Sequence, residues 1–222
     1  MTALLGYHSA MLLRSQRWLP PVLMYGIFLV VGVQAGQPVL DALGYAAAAL
    51  LPVTAWLVRI CVTQEPAAAR AVVAAASGSY RAHLAALLTA TLFACGLGVL
   101  GTVVVSMVSR PVNADYTVRV PPLSAGTAGL VAAVVCLLLG AAAGALCSRP
   151  LVNARGRGIA ANAVVALLAL VAVGSPARSA VSGLVRGSLT GTVGIPGMQL
   201  VLSALVAAGA GALACAVAAR RG

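Results

Sequence analysis

Val62–Arg81 reads VTQEPAAARAVVAAASGSYR, the longest interruption on the side of the chain that the arginines below assign to the cytosol. How this stretch is read decides the architecture. Pro66 suits the first turn of a helix, where a missing N–H costs nothing. Alanines and valines then carry the helix to Ser77-Gly78, a natural stop. Glu65 is one of only three acidic residues in the chain, and Arg70 and Arg81 flank the same stretch. The pattern predicts a short, polar-edged helix slung between two membrane spans, a handle for a soluble partner. The plainer alternative is a connecting loop.

Outward from this stretch the chain is greasy. Of 222 residues, 62% are apolar, 8% charged and 4% aromatic. Soluble domains carry about 25% charged residues, so this composition describes a polytopic membrane protein whose runs can cross roughly 30 Å of hydrocarbon. The net charge of +11 comes from arginine alone. No arginine forms a dense run with interleaved aromatics, so the charge points to loops held at a lipid surface and not to nucleic acid. Arginine without lysine, with heavy Ala, Val, Gly and Leu usage, looks like a GC-rich bacterial genome. Cys61, Cys95, Cys136, Cys147 and Cys215 all sit in or at the ends of apolar segments. With no CxxC pair and no nearby histidine, they read as small apolar fillers.

Residues 1–18, with the pattern running from Ala3 to Trp18, read as an interfacial helix. Leu4, Met11 and Trp18 recur every seven, joined by Leu5 and Leu12. Arg14, Arg17 and the following apolar run also resemble a secretory signal, but five more apolar segments follow, which favours an uncleaved first span. Six spans count out: Leu19–Gly36, Val39–Val62 with a possible bend at Pro52, His83–Val108, Ala125–Leu146, Ile159–Gly174 and Met198–Ala219. With the N-terminus inside, the cytoplasmic arginines are Arg14, Arg17, Arg59, Arg70, Arg81, Arg149, Arg155, Arg157, Arg220 and Arg221. The external ones are Arg110, Arg119, Arg178 and Arg186. Ten against four is the positive-inside asymmetry, so both termini and Val62–Arg81 are expected in the cytosol. Outside, Ser109–Ser124 is polar. Ser175–Gly197 is semi-apolar, with glycines at 183, 187 and 191, and reads as short helices dipping back into the outer leaflet. Its glycine spacing would permit close helix packing.

Catalytic chemistry is sparse. His8 and His83 are the only histidines, and neither pairs with a serine at membrane depth. Asp41, Glu65 and Asp115 lie on three different segments, and no lysine exists to complete a nucleotide-binding loop. The chain is therefore not expected to be an enzyme. The spans carry almost nothing charged, which argues against ion-coupled transport. Asn162, near the start of span five, is the one obvious amide there and reads as a helix–helix hydrogen-bonding group before a substrate contact.

The layout resembles the membrane subunit of a bacterial ABC-2 type transporter, the half-size permease family related to the G-type exporters. SAMLLRSQRW sits where that family has its connecting helix. TQEPAAARAVVAAASGSYRAH sits where it has its coupling helix, and Ser175–Gly197 sits where it has re-entrant external helices. The resemblance implies an ATP-driven exporter in the bacterial plasma membrane. Two permease subunits, identical or paired with a sibling, would assemble with two ABC ATPase subunits that bind ATP and Mg; this chain would hold no cofactor. Glu65, Arg70 and Tyr80 are the residues expected to couple to the ATPase. An apolar dimer seam from spans two and five, the latter by resemblance, would hold Tyr45 and Asn162 and pass a hydrophobic or amphiphilic cargo. The alternative is a non-transporting scaffold or sensor subunit that uses the same helix to hold a cytosolic partner.

Overall fold

The computed structural model describes residues 1–148 and 155–221. Arg149, and the side chains of Arg155, Arg157 and Arg221, which the charge count used, lie outside what is described. Nine helices follow one another among the described residues: α1 (Thr2–Ser15), α2 (Leu19–Gly32), α3 (Val39–Thr63), α4 (Ala67–Ser77), α5 (Ser79–Val108), α6 (Pro122–Leu146), α7 (Arg155–Val171), α8 (Pro176–Thr190) and α9 (Gly197–Arg221). No strand forms among them; only two isolated bridges, Pro38 with Arg110 and Val112 with Arg119, tie the loops at one end.

Four helices are long and apolar enough to cross a membrane: α3, α5, α6 and α9. A fifth candidate is the pair Gly158–Val171 and Pro176–Thr190, bent by 45° at a short break. The chain is thus an all-helical, multi-pass membrane protein. The expected six-span count meets its first difference at α2, which has 14 residues where Leu19–Gly36 predicted 18. At 1.5 Å per residue it is about 21 Å long, short of a roughly 30 Å hydrocarbon core. It stops because Val33 turns extended and Gly36 takes φ +85 to reverse the chain toward α3.

At the centre α3 packs along α6; in each, 67% of the apolar window is buried, against 28% for α5 and 22% for α9. Glycine brings the central pair together. A Cβ on Gly140 would collide with the Leu51 carbonyl of α3, and one on Gly144 with the Ala55 carbonyl and Val58. Gly140 and Gly144 are four apart, the small-residue spacing that lets two backbones touch. The stripe expected at 183, 187 and 191 does not play this part. Gly183 faces open space, Gly187 meets the Thr192 carbonyl, and Gly191 is a left-handed cap that ends α8.

The segment 175–197 holds a single helix, α8, where several short ones were expected. It packs on the start of α3, with Gly44 against Leu184 and Val181. Ser188 donates to Asp41 Oδ2 at 2.9 Å, and the Ala114 amide donates to the Ser188 carbonyl at 2.8 Å, fastening α8 to the α5–α6 loop. In that loop Asn113 Oδ1 accepts from the amides of Thr117 and Val118, which closes the loop on itself.

Candidate functional site

At the other end of the bundle, α3 finishes at Thr63. Pro66 adopts the extended conformation that precedes α4, and α4 runs until Gly78, whose φ of +84 only glycine takes without strain. The predicted helix is therefore present, within a residue of its expected limits. Pro66 sits one position earlier than the first turn, just outside the helix. Gly78 also begins α5, so α4 turns directly into a span, four residues before the expected start at His83.

None of the residues of α4 is buried, and Val72 is 70% exposed. The helix lies outside the bundle as a bridge. Beneath it is a cavity of about 490 Å³ walled by the ends of α3, α5 and α9, by α4 itself and by His8 of α1. A buried apolar cluster continues this convergence inward, joining Leu12, Cys61, Ala86 and Ala214. The N-terminal helix and the last turns of the chain therefore lie at the same end of the bundle as α4.

The predicted coupling residues part company here. Glu65 is buried, 7% exposed, and its Oε1 accepts the Tyr7 hydroxyl of α1 at 3.0 Å. Arg70 turns inward and donates from Nη2 to the Glu65 main-chain carbonyl at 3.0 Å. Both line the cavity, and they do not pair with each other as ions. Tyr80, 44% exposed, stands away from them on the first turn of α5. Of the two residues expected on the seam, Tyr45 lies with its ring over Gly32 of α2 and remains 39% exposed. Asn162 is buried on α7, and its Oδ1 has no hydrogen-bond partner. The structure thus brings Glu65 and Arg70 together and keeps Tyr80, Tyr45 and Asn162 apart.

Three further residues complete the site. His8 is 1% exposed, lines the cavity and leaves both ring nitrogens without a hydrogen-bond partner. His83 lines it too, with Nε2 likewise unpartnered, and Ser79 adds a hydroxyl. Burial pushes the His8 imidazole below its ordinary pKa; the Glu65 carboxylate and the Ala82 carbonyl pull the other way. Burial, then the hydrogen bond to Glu65 and its charge, raise the Tyr7 phenol. One signal for His8 was legible. It lies four residues from both Leu4 and Leu12, on the face that α1 turns inward. Its closeness to His83 depends on a fold that joins positions 75 apart.

No protein-family model, curated protein or solved structure matches this chain.

Proposed function

We propose that this chain is the membrane permease subunit of an ATP-driven exporter of the ABC-2 kind, energised by a separate ATPase. One observation carries the reading: α4 is a helix held outside the bundle with none of its residues buried, joined through a single glycine to the 30-residue α5. A push on such a helix is delivered straight into a span. The exposed positions Ala68, Val72 and Ala76, spaced by four, offer a flat surface of small residues for an ATPase groove, and Tyr80 adds a polar edge. Glu65 and Arg70, facing inward, set the posture of α4 from below.

Six crossings fit this reading: α3, α5, α6, the α7–α8 pair, α9, and short α2 completed by the extended turn after Val33, whose Gly36 amide reaches the Val108 carbonyl at the far end of α5. Gly158 of α7 abuts Arg59 near the end of α3, while Leu170 and Arg178 border the same cleft as Ala48. From there α8 climbs past Gly44 to Asp41. In this reading the two helices together form one broken crossing, in place of the expected span followed by re-entrant helices. An even number of crossings agrees with α1 and the end of α9 sharing one end of the bundle, which the arginines assign to the cytosol.

The subunits pair through α3. Tyr45, Ala48, Pro52 and Trp56, spaced by three and four, are the stripe this otherwise buried helix leaves uncovered. Such a seam carries an apolar or amphiphilic cargo. The test is purification of the tagged chain from its own cells in mild detergent. An ATPase that copurifies with it, and whose hydrolysis the chain stimulates, is the expected result. Recovery of a soluble protein without ATPase activity favours a scaffold subunit.

A further inference from the structure

The cavity under α4 is more polar than a gap between helix ends requires. Its two charged side chains, Glu65 and Arg70, have opposite signs, share one cavity and leave each other unpaired. Glu65 spends one oxygen on Tyr7, and Arg70 spends one nitrogen on a main-chain carbonyl. His8 is nearly inaccessible, and neither of its ring nitrogens nor His83 Nε2 meets a partner in hydrogen-bonding geometry, the Ala82 carbonyl near His8 included. Buried polar atoms are ordinarily partnered, so this set is incomplete without an occupant. At about 490 Å³ the cavity lies within the roughly 300–1,000 Å³ of small-molecule pockets.

The charges choose the occupant. A lone anion drawn to Arg70 meets the buried Glu65 carboxylate, and a lone cation drawn to Glu65 meets the guanidinium. A ligand bearing both signs satisfies both walls. On the anion side the donors are numerous: the remaining N–H groups of Arg70, an N–H from each imidazole, the Ser79 hydroxyl and the first amides of α4, which no side chain caps. That number suits the three or four oxygens of a phosphate better than the two of a carboxylate. The remaining wall is apolar, alanines with Cys61 and Val62 of α3, and it reaches Ala86 of α5 and Ala218 of α9, helices that cross the membrane.

We propose that this cavity binds an aminophosphate zwitterion of the phosphoethanolamine type, its amine at Glu65 and its phosphate at Arg70 with His8 and His83. The group comes either from a phospholipid headgroup or from a free metabolite; the chemistry recognised is the same. The site stands on its own geometry and does not depend on the transport reading.

The test uses the full chain in detergent, titrated calorimetrically with O-phosphoethanolamine, inorganic phosphate and ethanolamine. Phosphoethanolamine should bind about tenfold or more tighter than either fragment, the scale of one charge-assisted contact. Glu65→Gln should erase that preference while leaving phosphate binding no weaker, and Arg70→Gln should weaken phosphate and phosphoethanolamine alike. Ala75→Leu fills the cavity from the exposed side of α4, touches neither charge and should abolish binding in a folded protein. Native mass spectrometry from nanodiscs of equal phosphatidylethanolamine and phosphatidylcholine separates the sources. Ethanolamine lipid retained by the wild type and lost in Ala75→Leu assigns the headgroup. Soluble binding without retained lipid assigns the free compound. Equal affinity for phosphate and phosphoethanolamine, binding indifferent to Ala75→Leu, or no binding of probe or lipid overturns the proposal.

Discussion

The Tyr7 hydroxyl donates to Glu65 Oε1 across 3.0 Å, joining residues 58 apart in sequence. Among the described residues it is the one side-chain hydrogen bond between α1 and the α3–α4 junction, and it fixes a buried carboxylate. Tyr7→Phe removes the donor at little cost in volume. Because Tyr7 is itself partly exposed, the loss should be about 1 kcal/mol. The expected result is faster amide exchange in α1, by roughly fivefold, with α3 and α6 unchanged. Exchange in α1 equal to wild type would show that Leu12 alone holds the helix.

His8 makes the docking of α1 depend on pH. Its imidazole is held below the ordinary value of about 6.5 by burial. A depressed histidine contributes stability that is fully present above about 6.5. That stability is lost as pH falls from there through the lower folded value. Glu65 opposes the shift, and His83 with Arg70 beside it disfavours a second positive charge in the cavity. Exchange of α1 amides should therefore rise between pH 7.5 and pH 5, and Glu65→Gln should steepen the rise. His8→Leu should flatten it. A flat profile in the wild type would refute the assignment.

The central helix pair yields a signed prediction. Gly140→Ala must push against the Leu51 carbonyl, and overpacking of this kind costs about 1–3 kcal/mol. Gly126→Ala, on the same helix with open space around it, should instead stabilise by about 0.5–1 kcal/mol through helix propensity. Detergent unfolding should move the two variants in opposite directions. Movement in the same direction would mean that the α3–α6 contact is looser than described.

What the sequence disclosed follows the range of the interactions. The limits of α4 were legible because Pro66 and Gly78 act on their own backbone. All four long spans were legible as apolar runs. The length of α2 was not, because its stop lies in a turn at Val33–Gly36 inside an apolar stretch. The Gly140–Gly144 contact was hidden among so many glycines and alanines that spacing alone had no weight; only the facing carbonyl picks it out. The same ambiguity lent the glycines at 183, 187 and 191 a role they do not play. Glu65 and Arg70 were singled out with Tyr80 as outward-facing coupling residues, but the inward direction of the first two depends on Tyr7 and on the cavity, which a linear pattern does not contain.

Topology can be read with single cysteines in a cysteine-free background. Asp115, exposed in the α5–α6 loop, should react with an impermeant thiol reagent on intact cells, and Ala68 on α4 only after lysis. Ala154, a natural second inner position by sequence, lies outside the described residues. Val173, 92% exposed at the α7–α8 break, tests the broken crossing. If the break sits within the bilayer, Val173→Cys should resist the reagent on both sides. Ready labelling of Val173→Cys from outside would make α7 a complete span. Labelling of Ala68→Cys on intact cells would invert the whole arrangement.

The partner-binding role proposed for α4 is separable from its cavity, because the two use different faces. Ala74→Pro removes an N–H from the middle of an 11-residue helix and sets a ring against the Arg70 carbonyl, at roughly 3 kcal/mol or more. The protein should still insert, with Asp115→Cys labelled as before, but lose ATPase association. Ala74 also lines the cavity, so this variant alone does not distinguish the two roles. Val72 is exposed and lies outside the cavity wall. Val72→Arg places a long charged side chain on the surface offered to the ATPase while leaving Glu65, Arg70 and His8 untouched. It should abolish ATPase copurification and substrate-stimulated hydrolysis, yet bind phosphoethanolamine as the wild type does. A Val72→Arg protein that still couples hydrolysis to export would show that α4 is a connector between spans and not the handle of a motor.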